Sequence, residues 1–216
     1  MGKMTSEQAS LVKRRGHKRE ETFNKIFDSC GVEINYSGAS ADCSITKQKY
    51  IDVLRDSGVL RRDVEPFVSL KGGNTIQIHL GNIPELTGTY STESHSGKTI
   101  VTHDKSFEEQ LKSLQDRVFW RRYLKKGNLL CYYDDNSSWK FFDMDAVIDF
   151  IVERVEWRLL DTGRIKGDLG SKRGLFTYEL RNKKNTFVLG AHGGKNGKEL
   201  IGHLEDNIPF MEIVVE

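Results

Sequence analysis

The chain has 216 residues, 37% apolar and 30% charged, with 33 Lys and Arg against 31 Asp and Glu for a net charge of +2. That length suits one domain with elaborations and a substantial core, and the near balance of charge excludes a polycation. No apolar run approaches 18 residues and no apolar h-region leads the chain, so no membrane span or signal is expected and a cytoplasmic location is.

Phe23, Ile26, Phe27 and Cys30 recur at helical spacing, which predicts a helix over 6–30 ended by Gly31. A strand is expected over 40–46. An interruption at 47–65 follows, with a short helix around Tyr50–Asp56, and then strands over 66–71 and 75–80. The Ser-, Thr-, Gly- and His-rich stretch 87–104 reads as a loop. Ser106-Phe107-Glu108-Glu109 is a capping box, opening a helix whose core face is Phe107, Leu111, Leu114 and Val118 and whose end lies near Lys126-Gly127.

Leu129–Tyr133 and Trp139–Phe142 read as a hairpin around residues 134–138. Asp145–Val155 is amphipathic through Ile148, Ile151, Val152 and Val155. Leu175–Leu180 and Thr186–Leu189 pair as strands. A glycine-rich loop (Gly190, Gly193, Gly194, Gly197), a short helix near Lys198–Leu204 and a strand at Met211–Val215 complete the chain. This mixture predicts a single α/β domain over 1–216, with a mixed central sheet flanked by helices. Cys30, Cys43 and Cys131 are scattered and odd in number, which suits free thiols in a reducing compartment.

Residues 41–85 carry the chemistry. In Ala41-Asp42-Cys43-Ser44-Ile45 the apolar residues fall on one face of a strand, and Asp42 and Ser44 fall on the other. Val68 and Leu70 oppose Ser69 and Lys71 in the same way. If the two strands are neighbours, one face is core and the other sets a lone carboxylate beside a lone ammonium. Asp42 alone reads equally well as a turn or capping aspartate, and Lys71 alone as a surface lysine. Together they are parts of a phosphodiester-cleaving site: a carboxylate for Mg²⁺, an ammonium to orient water, and Gly72-Gly73 to let a backbone come close. Gln77 shares the parity of Ser69 and Lys71 if the strand runs on unbroken.

This pattern resembles the PD-(D/E)XK nuclease superfamily, most closely its type II restriction endonucleases, over about residues 16–27 and 38–85. Asp42 matches the first acid and Lys71 the lysine. Ala41 stands where the family has Pro, and Ser69 stands two before the lysine in place of an acid, as in the family's Ser-X-Lys variants. The resemblance implies a restriction-endonuclease-like core. It also implies Mg²⁺-dependent hydrolysis of double-stranded DNA, a homodimer if the recognition site is palindromic, and a second carboxylate recruited from elsewhere. Glu20, ahead of the Phe23 stripe and expected to point inward, resembles the glutamate of the family's first helix, with Glu21 as fallback. Glu85, fourteen positions after Lys71, resembles the displaced glutamate of the Ser-X-Lys subgroup. In the implied mechanism Asp42 and one glutamate hold Mg²⁺, and Lys71 aligns water. Gln77 is a candidate partner for the scissile phosphate.

On the same resemblance, residues 1–104 are the catalytic half and 105–216 complete the core and supply DNA recognition. Residues 158–198 hold ten Lys and Arg against three Asp and Glu, and residues 3–19 hold six against one, a distribution that favours a bound polyanion. Arg164, Lys166, Arg181, His192 and Asn74 are the candidate DNA contacts, and Lys13, Arg14, Arg15, Lys18 and Arg19 form a second basic cluster. Any one of them reads more readily as a phosphate contact or a surface charge than as a base reader. Two rivals remain: a structure-specific nuclease of repair, recombination or phage origin, and a non-catalytic nucleic-acid-binding protein.

Other motifs carry less. Ser96-Gly97-Lys98-Thr99 ends like a P-loop, but Thr92 occupies the leading glycine position. Met1-Gly2-Lys3-Met4-Thr5-Ser6 fits a myristoylation pattern that no membrane feature supports.

Overall fold

The structure is a computed structural model that describes residues 6–28, 42–74, 76–81, 88, 90–95, 98–123, 127–134, 138–181, 186–191 and 195–215. It opens on α1 (Ser6–Phe27). Phe23 and Phe27 are one turn apart, fully buried, with ring centroids separated by 4.4 Å. Both rings meet Trp139 and Phe141. The helix stops before the expected Gly31, because Asp28 already turns the chain at φ 51°, a conformation that Asp tolerates better than most residues. Cys30 and Gly31 lie outside the described residues.

A five-stranded sheet follows the order β1-β2-β6-β7-β12, comprising β1 (Cys43–Ser44), β2 (Phe67–Gly72), β6 (Leu129–Tyr133), β7 (Ser138–Asp143) and β12 (Phe210–Val214). Between β1 and β2 lies α2 (Gln48–Asp56), which buries Ile51 and Leu54. Only β2 and β6 are parallel, with Ser69 opposite Leu130 and Lys71 opposite Tyr132. The sheet is covered on both sides. Leu129, Cys131, Trp139 and Phe141 join Phe23, Phe27 and α2 in one core. Leu130, Tyr132 and Phe142 belong to a second core with Ile148, Trp157, Phe176 and Leu204. Burial of four of its five residues marks β6 as an interior strand. Cys43 and Cys131 are buried free thiols, and burial together with the neighbouring Cys43 pushes the Cys131 thiol well above its usual range.

The expected mixed sheet flanked by helices is the β1-β2-β6-β7-β12 sheet, but it is not the only sheet among the described residues. Gly73, at φ 81°, swings the chain out of β2 and into β3 (Ile76–Gly81), which heads a second sheet. Its order is β3-β11-β10-β9-β8, antiparallel throughout, with β8 (Val155–Leu159), β9 (Ile165–Leu169), β10 (Lys172–Arg181) and β11 (Thr186–Ala191). Each five-stranded sheet draws strands from both sides of residue 104.

Three further expectations are corrected. The stretch 87–104 is not all loop: β4 (Tyr90–His95) and β5 (Lys98–His103) pair antiparallel, with Thr92 opposite Val101. Its Thr, Tyr, Val and Ile content suits strands better than its polarity suggested. The helix after the Ser106 capping box stops early. It is α3 (Phe107–Leu114), capped as expected by the reciprocal Ser106–Glu109 bonds, which hold the Glu109 carboxyl below its ordinary value. A new helix, α4 (Arg117–Tyr123), starts where the Asp116 carboxylate accepts the Val118 N–H at 2.8 Å. That break shifts the helical phase. Val118, expected in the core, is 62% exposed, and Phe119 and Trp120 are buried in its place.

The third correction concerns Val155, which begins β8 rather than ending a helix; α5 is Met144–Arg154. Burial of Val155 and Trp157 alternates with exposure of Glu156 and Arg158, a strand period that follows a helical one without a break. The last helix, α6 (Asn196–Asn207), starts earlier than expected and absorbs Gly197 into its buried face.

Candidate active site

The site sits where β1 meets β2. Cys43 lies opposite Val68, and the Asp42 N–H donates to the Val68 carbonyl at 2.9 Å, which fixes Asp42 beside the second half of β2. Cys43, Ile45 and Val68 face the α1 core, so alternation turns Asp42, Ser69 and Lys71 to the other side. There the Asp42 carboxylate accepts the Leu70 N–H at 2.7 Å and the Lys71 ammonium at 3.2 Å, through the same oxygen, Oδ2. The ammonium also donates to the Leu70 carbonyl at 3.2 Å. The pair is partly open, with side-chain exposures of 37% for Asp42 and 18% for Lys71. Ser69 is buried beneath it at 2%.

Two hard oxygens, a carboxylate and a carbonyl, therefore converge on one cationic position. Oδ1 of Asp42 takes no hydrogen bond from any described residue. That cationic position is filled by the Lys71 ammonium, and both oxygens are of the hard kind that Mg²⁺ takes beside several waters. Asp42 and the Leu70 carbonyl are the groups that could hold it. Among the described residues no group of three His, Cys, Asp or Glu side chains converges to add to them.

The other expected site residues are more dispersed. Glu20 does not point inward. Its side chain is 52% exposed, and its carboxylate lies 3.4 Å from His17 Nδ1 on the same helix. The residue that continues the Phe23–Phe27 stripe back by a turn is Arg19. Gln77 does not share the run of Lys71, because the Gly73 turn carries it to the second sheet, where its backbone pairs with Gly190. Asn74 is exposed, and its carbonyl accepts the Gly197 N–H at 2.7 Å at the start of α6. Lys166 is half-buried in β9 and its ammonium donates to the Thr177 hydroxyl across the β9–β10 ladder. Arg164 closes the β8–β9 turn through its carbonyl, which accepts the Leu160 N–H at 2.8 Å. Arg181 lies at the end of β10, its backbone paired with Thr186. Glu85 and His192 lie outside the described residues.

One residue that sequence reasoning did not place near this site, Arg19, lies on the opposite side of the same strand end. A Cβ added to Gly72 would lie 2.9 Å from Arg19 Nε and 2.8 Å from the Tyr133 carbonyl oxygen. Gly72 thus leaves room for the Arg19 guanidinium close to the strand, on the side away from Lys71. The signal was present in the four-residue spacing from Arg19 to Phe23 to Phe27.

Comparison with protein-family models, with curated proteins and with solved structures gave no match to this chain.

Proposed function

We propose that this protein is a type II restriction endonuclease of the PD-(D/E)XK kind, hydrolysing double-stranded DNA at a specific sequence with Mg²⁺. It would act in the cytoplasm as a homodimer, within a restriction-modification system. The observation that carries the reading is the Asp42–Lys71 pair, 3.2 Å apart, on the polar side of a strand whose other side is core. Bound Mg²⁺ would supply Lewis-acid charge against a phosphoryl oxygen and acidify water. The chain's own part is positional and electrostatic. Leu70 N–H fixes the Asp42 carboxylate, so the anionic ligand is set before substrate arrives. Lys71 holds the attacking water in line and offsets charge developing on phosphorus. No side-chain nucleophile is required.

Sequence specificity separates this reading from a structure-specific nuclease. Digestion of a sequenced bacterial genome, followed by sequencing of the fragment ends, should return one short common sequence at every cut. Random ends, or cutting confined to branched DNA, would remove the restriction assignment, and a gel shift without cleavage would remove the nuclease.

A second carboxylate for the metal would come from Glu20 or Glu85. One of Glu20→Gln and Glu85→Gln should slow cleavage by orders of magnitude, and the other should behave as a surface change. Full activity in both, measured as single-turnover rates, would place the second acid elsewhere.

Arg164, Lys166 and Arg181 are proposed to bind DNA phosphates in the basic stretch 158–198, with His192 and Asn74 as further candidates. Neutralising the first three together should weaken DNA binding and lower the log–log salt slope by roughly 0.9 for each phosphate that is no longer neutralised. An unchanged slope across a salt series would leave the stretch as solvated surface.

A further inference from the structure

A second cationic site lies beside the first. A cleft of about 300 Å³ opens between α1 and the end of β6, lined by Arg15, Lys18, Arg19, Thr22 and Tyr133. The four helix residues are spaced i, i+3, i+4 and i+7, so they form one stripe. Every ionisable helix residue in that stripe is a cation; Glu20 and Glu21 fall outside it, and the Glu20 carboxylate lies 3.4 Å from His17 Nδ1. The floor is firm. Tyr133 stacks on the buried Trp139 at 4.2 Å between ring centroids, and its backbone pairs with Gly72. Arg19 reaches over Gly72 and Gly73, which a Cβ at either position would crowd, at 2.9 Å and 3.3 Å.

The cleft and the Asp42–Lys71 pair are therefore one residue apart along β2, on opposite sides of the same strand end. Three cations with a hydroxyl and a tyrosine beside them suit a phosphodiester better than a carboxylate peptide, because charge is concentrated on one short stripe and a phosphate offers several acceptor oxygens. We propose that this cleft binds a backbone phosphate of the DNA strand flanking the phosphate held at Asp42 and Lys71, so that α1 sets the register of the strand across the end of β2. The proposal rests on the nuclease reading for its direction, but it makes a binding claim of its own.

The test neutralises the two exposed cations, Arg15→Gln with Lys18→Gln, and measures anisotropy of a fluorescein-labelled duplex without divalent metal across a salt series. The log–log slope should fall by roughly 0.9, for the one phosphate that the cleft no longer neutralises. A control, Lys49→Gln with Arg62→Gln, removes the same charge from exposed positions elsewhere and should leave the slope unchanged. An unchanged slope in the cleft variant, or an equal fall in the control, would overturn the proposal. So would binding of inorganic phosphate that the cleft variant loses while its DNA slope is kept, which would mark a free oxyanion site. If the wild-type protein cuts DNA and the cleft variant keeps its slope, this inference fails and the nuclease reading stands. If the wild type never cuts but the slope falls, the nuclease reading fails and the phosphate site stands.

Discussion

Asp42→Ala and Lys71→Ala should each slow DNA cleavage by about three orders of magnitude or more, while DNA affinity stays within a few-fold. The expected size follows from the proposed role, since each variant removes a preorganised charge from the position where the phosphate would react. Asp42 also has a structural task, because Oδ2 accepts the Leu70 N–H at 2.7 Å. Loss of that bond in the alanine variant could lower stability by about 1 kcal/mol on its own. Asp42→Asn separates the two roles, since an amide oxygen still accepts from Leu70 but carries no charge. It should melt close to the wild type and still fail to cut. Lys71→Ala also gives up the ammonium's bonds to Asp42 and to the Leu70 carbonyl, so its melt is read in the same way. Single-turnover rates at saturating protein, read beside thermal melts, check both. Cleavage by either alanine variant at near the wild-type rate would remove the pair from the chemistry.

The second large effect concerns folding. Asp168 is 1% exposed in β9 and is clamped by Arg158 Nε at 2.9 Å and Arg173 Nη1 at 2.7 Å. The Gly174 N–H, at a bulge where Gly174 takes φ 64°, donates to its other oxygen. Burial alone would raise this carboxyl, but the bonds from Arg173, Arg158 and Gly174 win and hold it down to about 2 from 3.8. A depressed folded pKa means that the stability is present above about 3.8 and lost as pH falls toward about 2. The shift corresponds to roughly 2 kcal/mol. Asp168→Ala should cost a similar amount, about 1–3 kcal/mol, because it leaves the Gly174 bulge N–H without its acceptor while the two exposed guanidinium groups turn to water. Urea unfolding at pH 7 and pH 3 should show the wild type losing stability between the two, and the variant losing less. Equal acid sensitivity would mean that other carboxylates dominate the titration.

Legibility from sequence followed the range of the interactions. The β2 face was readable because strand alternation is local: Cys43, Ile45 and Val68 are core, and Asp42 and Lys71 meet on the opposite side. The capping box at Ser106 was readable for the same reason. The end of that helix was not, because a single Asp116 cap restarts the helix and rotates Val118 out of the core. The split into two sheets was hidden in one backbone angle at Gly73, and no side-chain pattern encodes which sheet β3 joins. The β4–β5 hairpin was obscured by its polar residues, which pair as strands all the same. Glu20 was misdirected by assuming that a charge three residues before Phe23 shares its face, whereas the buried line steps by four and brings in Arg19. Glu85, proposed as a distant partner of Asp42, lies outside the described residues.

The most direct test is conversion of a supercoiled plasmid by the wild-type protein in Mg²⁺, run beside Asp42→Asn and beside the wild type in EDTA. The wild type in Mg²⁺ should give discrete linear fragments, with neither control cutting. Equal cutting by Asp42→Asn, or no cutting by the wild type under conditions where it binds the plasmid, would contradict the assignment of a nuclease centred on Asp42 and Lys71.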